Sequence, residues 1–170
     1  MPTKVLVAYG TTNGSIARIA ETIAEVLRKG GGVLAEAVPA HSVTDVESYD
    51  AVVVGGGLYG GRWHKDARRF VRRHGRVLAG RPLWFFSSGP LDASATEKEI
   101  PPVLGVRRVM TRLGARAHVT FGGCLEEGAK GFVARKIVSS GKGGDYRDFG
   151  QIEVWAMDIG TELVSGARSG

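Results

Sequence analysis

The chain has 170 residues, enough to bury one full hydrophobic core, and we expect residues 1–170 to form a single domain. Hydrophobic residues at 43% and charged residues at 24% are typical of a globular protein, and the apolar runs are too short to cross a bilayer. The formal net charge is +6, and the single cysteine, Cys124, excludes an internal disulfide.

Apolar runs suited to strands alternate with amphipathic runs suited to helices, which predicts an α/β fold with a parallel sheet. In chain order the pattern predicts a strand at residues 4–9, then a helix whose apolar positions run from Ile16 to Leu27 and which ends at Gly30-Gly31-Gly32. Further on it predicts strands at 33–38 and 50–54, a helix at 65–78, a strand at 82–86, a helix at 99–113, a strand at 117–121, and helices at 129–138 and 149–164. Residues 55–61 are predicted as a glycine-rich loop and residues 141–144 as a linker.

A loop of glycine and hydroxyl residues joins the first predicted strand to the first predicted helix. It reads Thr11-Thr12-Asn13-Gly14-Ser15. A helix start offers unpaired N–H groups and a partial positive charge, and the polar side chains add neutral donors, so this junction predicts a phosphate site. A nucleoside triphosphate loop would carry a lysine here, and its absence favours the phosphate monoester of a cofactor.

A second glycine loop, Gly55-Gly56-Gly57-Leu58-Tyr59-Gly60, matches the dinucleotide pattern G-x-G-x-x-G. That pattern also needs an acidic residue about 20 positions further on to hold a ribose. The chain offers no acid there before Asp92, so we do not interpret the loop as a dinucleotide site.

Ligands of open parallel sheets bind beyond the carboxyl ends of the strands, where the strand order reverses. A five-stranded order 2-1-3-4-5 would bring four loops together there, with the candidate residues Leu58, Tyr59, Trp63, Ser88, Gly89, Gly123 and Cys124 beside the phosphate loop. Aromatic rings next to backbone-exposing glycines suit a flat conjugated ligand, and with a phosphate this implies FMN. The alternative is that Tyr59 and Trp63 are packing anchors, with Trp63 tucked under the following helix. We assign no metal site.

Three stretches of the chain are distinctive: Thr11-Thr12-Asn13-Gly14-Ser15, the segment from Leu58 to Lys65 with Phe70-Val71-Arg72-Arg73-His74, and Gly143-Gly144-Asp145-Tyr146-Arg147-Asp148 with Trp155-Ala156. On these residues the chain resembles the flavodoxin-like superfamily, and the resemblance covers nearly its whole length. Within that superfamily the chain is more similar to the menaquinone-dependent protoporphyrinogen oxidases and related flavodoxin-domain proteins than to electron-carrier flavodoxins. The family's phosphate loop usually ends in Gly-x-Thr, and Ile16 stands at the threonine position here, so Ser15 or Thr11 must compensate.

The resemblance implies a flavodoxin-like, doubly wound sheet and an FMN-dependent oxidoreductase that passes electrons from a small reduced substrate to a quinone or an electron-transfer chain. It implies that residues 11–15 hold the FMN phosphate, that Tyr59 and Trp63 lie near the ring, and that Gly89, Gly123 and Cys124 lie at its edge. His64 would donate to substrate or flavin, or be a solvated loop histidine. Two other classes stay open: a non-enzymatic electron carrier and a cofactor-free interaction module.

The positive charge is concentrated on two predicted helices, one with Lys65, Arg68, Arg69, Arg72, Arg73 and Arg76 and the other with Arg107, Arg108 and Arg112. These faces are either solvated or attract an anion: an acidic lipid surface, a carboxylated substrate or an acidic redox partner protein. No nucleic-acid motif accompanies the charge, so nucleic acid is not expected. The N-terminus leads straight into the first strand without a signal peptide, which predicts a cytoplasmic protein. If the positive charge attracts acidic lipid, the protein would lie peripherally at the inner face of the membrane.

Overall fold

The computed structural model describes residues 2–10, 14–59, 61–89, 100–125, 144–145 and 147–169. Its strands are β1 (Thr3–Gly10), β2 (Val33–Pro39), β3 (Ala51–Tyr59), β4 (Arg62–Trp63), β5 (Leu83–Ser88), β6 (Ala117–Phe121), β7 (Cys124–Leu125) and β8 (Gly144–Asp145). Its helices are α1 (Ser15–Lys29), α2 (Lys65–Arg73), α3 (Gly75–Leu78), α4 (Leu104–Leu113) and α5 (Phe149–Ser169), with a 3-10 turn at Ala40–Ser42.

The five long strands form one sheet in the order β2-β1-β3-β5-β6, and every pair along it is parallel. This is the predicted order: β2 lies at one edge beside β1, and β3, β5 and β6 follow on the other side of β1. Two short pieces lie off this path: β4 pairs antiparallel with the end of β3, and β7 pairs antiparallel with β8. Among the described residues, no helix combines the length and apolar character needed to span a bilayer.

Helices cover both faces of the sheet, as predicted, because alternate side chains of each buried strand point to opposite faces. Val5 and Val7 of β1 pack toward α1 and α5, whereas Leu6 and Ala8 pack toward α2, α3 and α4. All four β1 side chains are completely buried. The amphipathic spacing in α1 is confirmed, since its apolar residues Ile16, Ile19, Ala20, Ile23 and Leu27 are buried.

The prediction that residues 55–61 form a loop was wrong for most of the segment, because β3 continues through Gly55-Gly56-Gly57 to Tyr59. The glycines keep their places in the ladder, pairing with β1 on one side and β5 on the other. They are required because neighbouring rings lie directly over the strand: a Cβ on Gly55 would come within 1.9 Å of Phe86 Cζ. Glycine here therefore indicates close packing across a strand rather than a turn.

The predicted helices differ from the observed ones mainly at their boundaries. The helix expected at 65–78 breaks at His74, which leaves α2 and a short α3. The helix expected to begin at residue 99 begins at Leu104, because Pro101 and Pro102 precede it and Val103 is extended. Of the linker expected at 141–144, Gly144 belongs to β8. The remaining linker residues, and the helix expected at 129–138, lie outside the described residues.

Replacing Gly55 with alanine tests the close packing across β3. We expect Gly55→Ala to lower the free energy of unfolding by about 3 kcal/mol, because the added methyl group overlaps the Phe86 ring. The matched control is Gly105→Ala, where a Cβ would meet nothing within 4 Å, and stability should stay within about 1 kcal/mol. Urea unfolding of both variants measures this, and equal stabilities would contradict the packing.

Candidate functional site

The carboxyl ends of four neighbouring strands meet at one edge of the sheet. The register pairs Gly10 with Gly56, Gly57 with Ser88, and Ser88 with Phe121. The loops that leave these strands carry most of the residues predicted for the site. The structure therefore brings Gly14, Leu58, Tyr59, Ser88, Gly89 and Gly123 to the same edge, where open parallel sheets bind their ligands.

The start of α1 is open to an anion. Gly14 precedes the helix with φ +80°, a conformation that favours glycine, and a Cβ there would meet nothing within 4 Å. No side chain of the described residues caps this helix, and its first turn holds no acidic residue. The N–H groups and the positive end of the helix dipole are therefore available to a phosphate. Three further predicted phosphate ligands, Thr11, Thr12 and Asn13, lie outside the described residues.

Ile16 does not face this opening. Its side chain is completely buried and packs with the core between the sheet, α1 and α5. The position at which the family pattern has a threonine thus serves the core in this chain. Ser15, half-buried at the first position of α1, is the hydroxyl residue that the described structure keeps at the start of the helix.

Arg147 adds a positive charge beside the same helix start, and sequence reasoning gave it no role. Its Nη1 donates a hydrogen bond to the Ser15 carbonyl oxygen at 3.3 Å. The guanidinium of Arg147 also lies 5.2 Å from the centre of the Phe149 ring, and that of Arg18 lies 5.6 Å from it. The only sequence signal was an arginine in the segment before the last helix, 132 residues from its partner.

Tyr59 presents an exposed ring at the other end of the edge. It is 43% exposed, and it folds back over Gly57, where a Cβ would lie 2.9 Å from Tyr59 Cε2. Leu58 is half-buried and packs against Gly89 of the next loop. The structure thus leaves one accessible aromatic face at the position predicted for a flat ring.

Trp63 takes the packing alternative that its sequence position left open. It is only 3% exposed, and its Nε1 donates to the Phe86 carbonyl oxygen at 3.2 Å. Its ring lies 5.0 Å from that of Phe85 and against Gly56. Trp63 therefore braces the β3–β4 hairpin against β5.

His64 is buried and caps α2. Its ring Nδ1 accepts a hydrogen bond from the Asp66 backbone N–H at 3.1 Å, and the backbone N–H of His64 donates to the Gly57 carbonyl oxygen at 2.8 Å. Burial lowers the pKa of His64 although the neighbouring Asp66 carboxylate opposes the shift. The ring also meets Tyr59 edge to face, with centroids 5.6 Å apart. His64 thus holds the hairpin, α2 and the Tyr59 ring in one arrangement.

The loops after β5 and β6 touch each other through their backbones. Gly89 N–H donates to the Phe121 carbonyl at 3.3 Å, and Ser88 Oγ donates to the Gly122 carbonyl at 2.9 Å. A Cβ on Gly123 would lie 3.0 Å from the Gly89 carbonyl oxygen, so a side chain there would crowd the Gly89 backbone. The backbone of Cys124 continues into β7, and its side chain lies outside the described part.

Ser87, which is buried, and His118, which is half-buried, form a polar pair between β5 and β6. Ser87 Oγ lies 2.8 Å from His118 Nε2, and His118 Nδ1 is buried without a hydrogen-bond partner in the described part of the chain. Burial lowers the pKa of His118 to about 4, so the ring is neutral at physiological pH. Where the chain is described, no three His, Cys, Asp or Glu side chains are placed to share a metal ion.

Comparison with known proteins points to one family. A family model described as "Flavodoxin domain" matches residues 6–142. Protoporphyrinogen IX dehydrogenase (quinone) of Escherichia coli strain K12 is 31% identical over 100 residues, which cover 58% of this chain and 54% of that protein. The chain thus spans about half the length of this relative.

Solved structures share the fold at low sequence identity. A flavodoxin from the domain Archaea superposes with a TM-score of 0.63 at 14% identity, covering 95% of this chain and 99% of that one. The rubredoxin oxygen:oxidoreductase of Desulfovibrio gigas superposes with a TM-score of 0.62 at 15% identity, covering 96% of this chain and 37% of that one. The flavodoxin-like fold is therefore confirmed.

FMN is the cofactor that the flavodoxin-domain match indicates, and the site fits it. The uncapped α1 start and the Arg147 guanidinium suit a phosphate dianion. The exposed Tyr59 ring and the side-chain-free approach of Gly89 and Gly123 suit a flat ring system with polar edges.

Arg147 provides a test of the phosphate end. We expect Arg147→Gln to weaken FMN binding roughly fivefold, about 1 kcal/mol, because it removes a positive charge beside the α1 start. Arg116→Gln is the control, since Arg116 is exposed and pairs with Glu162 instead. Quenching of FMN fluorescence on titration gives both dissociation constants, and an unchanged constant for Arg147→Gln would contradict the assignment.

His118 predicts a loss of stability in acid. Its pKa is about 4 when folded against 6.5 as the ordinary value, so the unfolded chain takes up the proton first as pH falls. The contribution of the neutral ring is complete above about pH 6.5 and is lost toward pH 4. Between pH 7 and 5 we expect His118→Gln to lose about 1–2 kcal/mol less unfolding free energy than the parent chain.

Urea unfolding at the two pH values measures this difference. The exposed His41, changed to glutamine, is the control. If His118→Gln and the parent lose the same stability between pH 7 and 5, the titration is not that of His118. His64 and His74 also have lowered pKa values, so both are expected to add to the loss of stability in acid in the parent and in the variant.

Proposed function

The chain belongs to the flavodoxin-domain family, and on that premise we propose that it is an FMN-dependent oxidoreductase that takes electrons from a porphyrinogen-like substrate and passes them to a quinone or an electron-transfer chain. The single observation that carries the proposal is the edge at which β1, β3, β5 and β6 end. It combines an uncapped helix start with an exposed aromatic ring and two glycine loops.

The proposed roles divide along this edge. Ser15, Gly14 and the three residues before them bind the phosphate, with Arg147 neutralising part of its charge. Leu58 and Tyr59 lie against one side of the flavin ring. The backbones of Gly89, Gly123 and Cys124 and the Ser88 hydroxyl hold the ring edge and exclude water from it. Bound flavin supplies the hydride or electron transfer itself.

His64 acts in this proposal as a positioning residue. Its Nδ1 is used by the Asp66 N–H, so the proton of the neutral ring lies on Nε2. Contact with Tyr59 lets His64 set the angle of the tyrosine ring and hold the turn between β3 and β4. Trp63 supports the same hairpin from below through its bond to the Phe86 carbonyl.

The substrate class is suggested by the Escherichia coli relative, whose name gives protoporphyrinogen IX and a quinone as its reactants. A net charge of +6 favours binding of a carboxylated substrate. The same charge favours an anionic membrane surface or an acidic partner protein as the site at which electrons are passed on.

Two measurements on purified protein test the proposal in sequence. The absorption spectrum with added FMN should show a bound flavin, and a chain that binds none is not a flavoprotein. The loaded protein should then oxidise protoporphyrinogen IX anaerobically with a menaquinone analogue as acceptor. If FMN binds and is reduced by a flavodoxin reductase, but porphyrinogen is not oxidised, the chain is an electron carrier instead.

A further inference from the structure

The positive charge of the chain is concentrated around α2, α3 and α4. Residues 61–89 and 100–116 contain twelve lysines and arginines and one acidic residue, Asp66. The rest of the chain contains 11 basic and 16 acidic residues. These two segments therefore supply the net positive charge of the chain, and nine of their twelve basic residues lie on α2, α3 and α4, on the face of the sheet opposite α1 and α5.

A groove of about 500 Å³ runs between α2 and α4 in this layer. Five arginines line it, three from the β4–α2 segment and two from α4: Arg62, Arg68, Arg72, Arg108 and Arg112. Among the described residues, no acidic side chain lines the groove, and no carboxylate forms an ion pair with any of the five arginines. Arg68 is held in place, because its Nε donates to the Trp63 carbonyl at 3.0 Å.

The floor of the groove is apolar. Trp63, Val71 and Val106 are buried there, and Leu104 stands at its side with 60% of its surface exposed. A groove of this size, apolar at its base and arginine-rich at its rim, has the form of a small-molecule site. A guanidinium group binds a carboxylate or a phosphate through two parallel hydrogen bonds. Binding of this kind has a defined geometry, whereas attraction to a diffuse positive surface does not.

We propose that the groove between α2 and α4 binds an amphipathic organic anion, a molecule with an apolar body and at least two carboxylates, through Arg72 and Arg108 from opposite walls. The apolar body and the carboxylates of the ligand are inferred from the apolar floor and the arginines of the groove. That this ligand is the substrate rests on the proposed function. Gly61, Arg62 and Trp63 of the β3–β4 segment line one end of the groove, and the same hairpin carries Tyr59 of the predicted flavin site.

Other arginines on the same helices give a matched control. Arg69 on α2 and Arg107 on α4 are exposed and do not line the groove. The double change Arg69→Gln/Arg107→Gln removes the same charge as Arg72→Gln/Arg108→Gln from the same two helices. A ligand bound in the groove should lose affinity only in the Arg72/Arg108 variant. A flat anionic surface, attracted by the overall positive charge of these helices, should lose affinity equally in both variants.

The experiment titrates FMN-loaded protein with protoporphyrin IX, a planar dicarboxylate, and follows the shift of its main absorption band. The dimethyl ester of protoporphyrin IX is the second probe, because it keeps the apolar body and removes both charges. We expect the groove variant to bind the diacid roughly tenfold more weakly than the parent, and the control variant to bind within about twofold of it. The ester should bind more weakly than the diacid, with no difference among the three proteins.

Three results would overturn the proposal: equal weakening in the two variants, equal binding of diacid and ester by the parent, or no porphyrin binding at all. Co-sedimentation with vesicles of anionic phospholipid serves as a further arm. Vesicle binding that is lost only in the groove variant, without porphyrin binding, would assign the groove to a lipid headgroup and also overturn it.

Failure of this proposal is distinguishable from failure of the proposed function. A protein that binds FMN and oxidises porphyrinogen equally well in the parent and groove variants retains its function and loses only this site. A protein that binds the diacid through the groove but takes up no FMN retains the site and loses the oxidoreductase function.

Discussion

The central strand β3 must be free of side chains where two aromatic residues close on it from opposite sides. Phe86 lies over Gly55 on the face of α1 and α5, and Trp63 lies over Gly56 on the face of α2 and α4. The indole N–H of Trp63 donates to the Phe86 carbonyl, so the two contacts are joined through one hydrogen bond. Because β3 pairs with both β1 and β5, this arrangement fixes the middle of the sheet and the place where its strands end.

Both candidate ligand sites depend on this arrangement. Beyond the three glycines, β3 turns back into β4, and the hairpin presents Tyr59 toward the strand ends and Arg62 toward the groove between α2 and α4. His64 then starts α2 and contacts Tyr59. A flavin at the edge and an anion in the groove would thus both contact residues of the same β3–β4 hairpin.

The sequence predicted the five strands, their order, both helical layers and the strand ends at which most of the candidate residues meet. It failed where glycine had a packing role, because Gly55-Gly56-Gly57 reads as a turn until Phe86 and Trp63 are seen to lie over it. The sequence left two roles open for Trp63 and suggested no role for Arg147. Each role depends on a hydrogen-bond partner far along the chain, Phe86 for Trp63 and Ser15 for Arg147. Periodicity reports which side of an element is buried, but it does not report which residues of distant elements meet.

The central claim is that the α1 start holds the phosphate of FMN at the strand ends, and comparison of FMN with riboflavin tests it most directly. The two ligands share the ring and the ribityl chain and differ only in the phosphate. Titration by flavin fluorescence should show FMN binding at least about a hundredfold more tightly than riboflavin, because in this account the helix start and Arg147 would contact only the phosphate group. Equal affinities for the two, or no binding of FMN, would contradict the account.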